Sequence, residues 1–186
     1  MKVTELGLPG LKIIEPRRFG DARGWFAEVW QDARYRDAGI RETFVQDNMA
    51  RSTRGVLRGL HAQEPHAQGK LVQVFVGRVF DVAVDLRRGS PTFRQWHGIE
   101  LDGDTGTQFY VPPGFGHGYY VLSDFALFGY KTTDRYSPES EFGVRWNDPG
   151  IGIDWPIEGE PILSDKDRTA PLLADLDAAR LTPFVA

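Results

Sequence analysis

Apolar and polar residues alternate over short stretches of this chain, and Gly or Pro interrupts almost every stretch. The clearest run is Val79-Phe80-Asp81-Val82-Ala83-Val84-Asp85. Period-two alternation puts Phe80, Val82 and Val84 on one face and Asp81, Ala83 and Asp85 on the other. Similar runs predict strands over Leu11–Glu15, Phe44–Asn48, Gly55–His61, Leu71–Val76, Arg78–Asp85, Gln95–Leu101, Gln108–Val111, Gly118–Val121 and Ala126–Thr132. Short strands at regular intervals with turn signals between them indicate a β-sandwich or barrel. Helical spacing is scarce. Gln31–Ala38 predicts a short helix stopped by Gly39, and Pro171–Arg180, with Leu172, Leu173 and Leu176, predicts a C-terminal helix. Ser137–Asp165 is rich in Pro, Gly and Asp and carries Trp146 and Trp155, which predicts an ordered irregular region.

Composition narrows the class. The 21 Gly and 12 Pro are spread throughout, so they mark turns and not a linker, and 186 residues fit one domain over 1–186. A formal net charge of −4 speaks against broad nucleic-acid binding, which needs a basic face. No apolar run is long enough to span a bilayer, and Met1–Leu11 does not read as a leader. With no cysteine there is neither a disulfide framework nor a thiolate nucleophile. A cytoplasmic protein without membrane or nucleic-acid partners is expected.

The chemistry concentrates in Arg58-Gly59-Leu60-His61-Ala62-Gln63 and Gln68-Gly69-Lys70. Strand alternation puts Arg58 with Leu60 and Gly59 with His61, and the two glycines would let a ligand approach the backbone closely. A base and two cations together suit an anionic substrate with an acidic proton. Imidazole is well matched to taking a proton near neutral pH, which makes His61 the candidate base.

Pro113-Gly114-Phe115-Gly116-His117 resembles the second signature of the cupins, which are all-β jelly rolls. Metal-binding cupins carry His-x-His in their first signature, where this chain has His61-Ala62-Gln63. The four histidines, 61, 66, 97 and 117, have no paired spacing, so a metal is not expected. Further motifs carry a closer resemblance. They include Asp21-x-Arg23-Gly24-x-Phe26-x-Glu28, Gln46-Asp47-Asn48, Gly55-Val56-Leu57-Arg58-Gly59-Leu60-His61 and Gln68-Gly69-Lys70-Leu71. Asp81 to Arg87, Gly89-Ser90-Pro91-Thr92, Tyr130-Lys131-Thr132-Thr133-Asp134, Trp146-Asn147-Asp148-Pro149 and Leu163-Ser164-x-Lys166-Asp167 continue the series. In order and spacing the chain resembles the dTDP-4-dehydrorhamnose 3,5-epimerases.

That resemblance implies a cupin-type jelly roll acting on a dTDP-linked 4-keto-6-deoxyhexose. His61 would be the base, paired with Asp167; Lys70 would steady the C4 oxygen, and Tyr130 would be the acid on the opposite face. Arg23, Arg58 and Lys166 match phosphate contacts, and Phe26 and Tyr136 match the aromatics that hold the thymine. Glu28, Gln46, Asp47, Asn48, His117 and Glu141 match positions that contact substrate or order the pocket. The Arg23–Glu28 strand would cross a homodimer interface, making the sites composite. Ala62, Met49, Ala50 and Arg135 depart from the usual pattern but remove no proposed catalytic group. The alternatives are an epimerase that inverts C3 alone, a metal cupin oxygenase, and a non-catalytic sugar-nucleotide binding module.

Overall fold

The structure, a computed structural model, describes residues 1–185. Strands β1 (Lys2–Glu5) and β2 (Lys12–Glu15) are followed by a hairpin of β3 (Arg18–Asp21) and β4 (Gly24–Ala27). Helix α1 (Asp32–Asp37) leads into β5 (Gln46–Thr53), β6 (Leu57–Gln63), β7 (Lys70–Val76) and β8 (Arg78–Asp85). Then come β9 (Trp96–Asp102), β10 (Gln108–Val111), β11 (Phe115–Val121), β12 (Phe125–Thr132) and β13 (Glu141–Gly143), and finally helix α2 (Asp165–Arg168). All strand pairs are antiparallel. One sheet runs β1-β2-β10-β7-β12-β5 and the other β13-β6-β11-β8-β9. From β5 to β8 and from β9 to β13 the chain repeatedly passes from one sheet to the other, as in a jelly roll.

The inner faces meet in one core. Val72, Val74, Phe109 and Phe128 of the first sheet pack with Val79, Ala83, Leu101 and Tyr119 of the second. The outer face of the second sheet is also covered: Leu57, Val82, Val84 and Tyr120 lie under Phe142, Ile151, Trp155, Leu173 and Leu181. The predicted alternation in β8 holds, yet both its faces are buried, and Asp81 and Asp85 are wholly enclosed. Burying each such Val or Leu stabilises the fold by roughly 1.5–3 kcal/mol.

The expected helix at Gln31–Ala38 forms as α1: Gln31 caps it by accepting from the Arg34 amide, and Gly39 leaves it with φ +83°. The predicted C-terminal helix does not form. Pro171–Arg180 instead makes two 3-10 turns, Leu173–Asp175 and Ala178–Arg180, with Leu176 extended between them. Tertiary contacts override its helical spacing, because the Leu173 amide donates to Asp148 Oδ2 at 2.6 Å while Leu173 and Leu181 bury against the sheet. Within Ser137–Asp165, β13 adds a short strand to the edge of β6 and the rest is irregular but packed. Among the described residues no helix is long and apolar enough to cross a membrane.

Candidate active site

Regular alternation would turn Arg58 and His61 to opposite sides of β6, but both line one cavity. A bulge accounts for this. His117 pairs with His61 and Tyr119 with Arg58, so three steps on β6 face two on β11. Gly59, at φ +126°, allows the bulge: a Cβ there would sit 2.6 Å from Gly118 Cα and 2.8 Å from the His117 carbonyl oxygen. A Cβ on Gly69 would meet Pro113 and Thr133 at 3.1 Å. Both glycines therefore make room for neighbouring chain, and not for a ligand as the sequence suggested.

The cavity, about 230 Å³, lies between the sheets. His61 Nε2 is 2.5 Å from Asp167 Oδ1, across 106 residues of chain. Asp167 is buried on α2, where the Ser164 side chain caps the helix by accepting from the Asp167 amide and donates to Asp167 Oδ2 at 2.8 Å. Burial pushes the Asp167 carboxyl up, but hydrogen bonds from His61, Ser164 and the Gly59 amide outweigh it and hold the group below the usual carboxylate range.

Lys70 is 7% exposed and donates to the His61 carbonyl oxygen at 3.3 Å. Burial draws its ammonium down to about 8, against the pull of Asp81 and Glu141. His117 Nε2 lies 2.9 and 3.0 Å from the two Asp81 oxygens, and burial pushes Asp81 up. Tyr130 reaches the cavity from β12; burial raises its phenol, and Arg58 opposes the rise. Tyr119 and Phe128, stacked at 4.2 Å, make an apolar floor. Arg58 donates from Nε to Ser52 Oγ at 3.1 Å. Among the described residues no group of three or more His, Asp or Glu side chains is arranged to hold a metal.

At the mouth, Tyr136 donates its hydroxyl to Glu141 Oε2 at 2.7 Å, and Lys166 pairs with Glu141 Oε1. Gln46 accepts from the Tyr136 amide at 3.1 Å and donates to Asn48 at 2.8 Å. Asp47, between them on β5, faces the other side and pairs with Lys131 at 2.9 Å, so it does not join the cavity. Arg23, Phe26 and Glu28 also lie apart from it. Arg23 pairs with Asp21 at 2.5 Å, Glu28 pairs with Arg34 at 3.0 Å, and Phe26, on β4, is 67% exposed.

A family model described as dTDP-4-dehydrorhamnose 3,5-epimerase matches residues 5–175. The dTDP-4-dehydrorhamnose 3,5-epimerase of Pseudomonas aeruginosa is 53% identical over 178 residues, 95% of this chain and 98% of its own. The chain belongs to the dTDP-4-dehydrorhamnose 3,5-epimerase family. Among solved members, dTDP-6-deoxy-D-glucose-3,5-epimerase RmlC of Legionella pneumophila, in complex with dTDP-4-keto-L-rhamnose, superimposes with a TM-score of 0.97. It shares 52% identity and covers 100% of this chain and 99% of its own. ChmJ of Streptomyces bikiniensis, a 3'-monoepimerase in complex with dTDP-quinovose, gives a TM-score of 0.85 at 38% identity, covering 91% and 86%.

Within this epimerase fold, two residues of the motifs have supporting roles that the sequence did not assign. Gln63 donates to the carbonyls of His66 and Arg135 and accepts from the Ser137 amide, so it holds the loop that carries Tyr136. Ser164 both caps α2 and fixes the carboxyl of Asp167. A serine three residues before the aspartate is an N-cap signal that could have found it. Gln63 lies two residues after His61 in the segment singled out, but its partners are 3 to 74 residues away in the chain, and no local pattern gives its role. Asp85 is structural: it accepts from Arg87, Ser90 and Thr92 and closes the Gly89–Thr92 turn.

Proposed function

We propose that this epimerase inverts C3 and C5 of dTDP-4-dehydro-6-deoxy-D-glucose to give dTDP-4-dehydro-L-rhamnose, and that it does so without a cofactor. The observation that carries the reading is the His61–Asp167 pair, at 2.5 Å, beside the buried Lys70. A carboxylate on one ring nitrogen fixes the other as a proton acceptor and stabilises the imidazolium that forms. His61 takes the proton from the carbon next to the C4 ketone, and the electron pair moves onto the C4 oxygen as an enolate. The Lys70 ammonium, itself buried, stabilises that oxygen. Tyr130 then gives its proton to the carbon, and Arg58 offsets part of the cost of the phenolate left behind. His61 and Tyr130 come from opposite walls, β6 of one sheet and β12 of the other, which supports removal from one face and return to the other.

In this reading Arg58 and Lys166 hold the diphosphate, and Tyr136 stacks on the thymine. Gln46, Asn48, His117 and Glu141 order the pocket. Arg23, Phe26 and Glu28 serve the cavity of a second copy in a homodimer. The hairpin that bears them supports this, because Phe19, Trp25 and Phe26 are 53%, 57% and 67% exposed together. The chain works as one domain in the cytoplasm, where a cysteine-free protein has no need of oxidising conditions.

Incubating the protein with the 4-keto substrate in heavy water tests the reading. Deuterium at both C3 and C5, read by NMR, is expected. Label at C3 alone would make the enzyme a 3-epimerase like ChmJ, and dTDP binding without any exchange would make it a binding module.

A further inference from the structure

Glu141 touches both ends of the site. At the mouth, its two oxygens hold the Tyr136 hydroxyl and the Lys166 ammonium. Its own side chain is only 16% exposed, and it sits on β13 two residues from Gly143, which pairs with His61. It thus lines the cavity that contains His61 and Lys70. Lys166, half exposed, precedes Asp167 on α2.

An acid between a cation at the mouth and a cation in the interior has its charge divided between them. As the structure stands, Lys166 is in direct contact and takes the larger share. A diphosphate is a stronger partner for that half-exposed ammonium than one carboxylate. We propose that Glu141 links occupancy of the nucleotide end to charge at the reacting end. When a diphosphate captures Lys166, the Glu141 carboxylate acts inward and holds Lys70 as an ammonium while the C4 oxygen turns anionic. This rests on the reading of Lys70 as the oxyanion donor, and Glu141 is a positioning residue that acts through it.

The charges around Lys70 favour Glu141 for this role. Lys70 is faced by Asp81 of β8, Glu141 of β13, Arg58 and His61 of β6, His117 and Tyr119 of β11 and Tyr130 of β12. Asp81 and Glu141 both support the ammonium against burial. Asp81 is bound by both oxygens to the buried His117. Glu141 is faced by Lys166, Tyr136 and His61, and its cation lies where a ligand can reach it.

The alkaline limbs of two pH profiles test the link, because kcat/KM reports the free protein and kcat the substrate complex. In the wild type the kcat limb should lie above the kcat/KM limb, by on the order of one pH unit. Glu141→Gln should close the gap and move both limbs down, while Glu141→Asp, which keeps the charge, should restore the gap. Lys166→Met should raise the kcat/KM limb toward that of kcat. A gap that survives Glu141→Gln would overturn the proposal, since the diphosphate's own charge would then account for it. Coincident wild-type limbs would overturn it as well. Lys70→Arg separates the two readings: the limb should vanish, and if it stays unchanged, the assignment of Lys70 itself falls.

Discussion

Replacing Asp167 by Asn keeps the shape of the side chain and removes its charge. In the structure one Asp167 oxygen meets His61 at 2.5 Å and the other accepts from Ser164 at 2.8 Å. An Asn can still accept from Ser164, but its amide then faces the imidazole and favours the wrong tautomer. An imidazolium and a carboxylate about 4 Å apart between charge centres attract by about 4 kcal/mol at an effective dielectric of about 20. The His61 side chain is 31% exposed, so solvent screening lowers the useful part to about 2–4 kcal/mol. That stabilises the transition state but hardly the ground state, so kcat should fall about 30- to 1,000-fold with KM little changed. Proton NMR of product formation gives both constants, and circular dichroism checks the fold. A kcat within threefold of the wild type would refute the reasoning, because the buried carboxylate would then do nothing for the base.

Three further outcomes follow from the same geometry. Lys70→Met should abolish turnover yet stabilise the fold: lowering the ammonium from 10.5 to about 8 costs the native state roughly 3 kcal/mol. The unfolded chain binds more protons between those values, so wild-type stability rises from pH 8 to 10.5. The variant's advantage in denaturant titrations should therefore be full below pH 8 and shrink across that window. Gly59→Ala should cost about 2–4 kcal/mol and most of the activity, since φ +126° and the 2.6 Å approach to Gly118 leave its Cβ no place; unchanged stability would count against the bulge. Mixing inactive Arg23→Ala and His61→Ala chains after joint refolding should return about a quarter of wild-type activity through hybrid dimers. No recovery would mean that Arg23 serves its own chain.

Local patterns announced most of the fold. Alternation located nine of the thirteen strands among the described residues, most of which have an inward apolar set that period two exposes. β1 escaped it because only Val3 of its four residues is even partly buried, β3 and β4 because their Phe19, Trp25 and Phe26 stay exposed, and β13 because three residues show no period. The failed C-terminal helix has the same origin as the covered outer sheet. Its leucines serve that sheet, and a spacing that fits a helix fits two packed turns equally well. At the site, residue types pointed to His61 and Lys70, and motif order to Asp167, but no periodicity could bring Arg58 and His61 to one side. A bulge does that, and its signature is a glycine whose partner across the strands is also glycine, Gly59 against Gly118. Asp47 shows the reverse case: its motif groups it with Gln46 and Asn48, while alternation turns it to the other face of β5, where it meets Lys131.

The account stands on His61 as the group that takes the proton. Replacing it with Asn and following deuterium uptake by the 4-keto sugar in heavy water is the most direct measurement. Exchange at C3 and at C5 should both disappear while dTDP still binds with near wild-type affinity. Exchange at the wild-type rate in that variant would contradict the account.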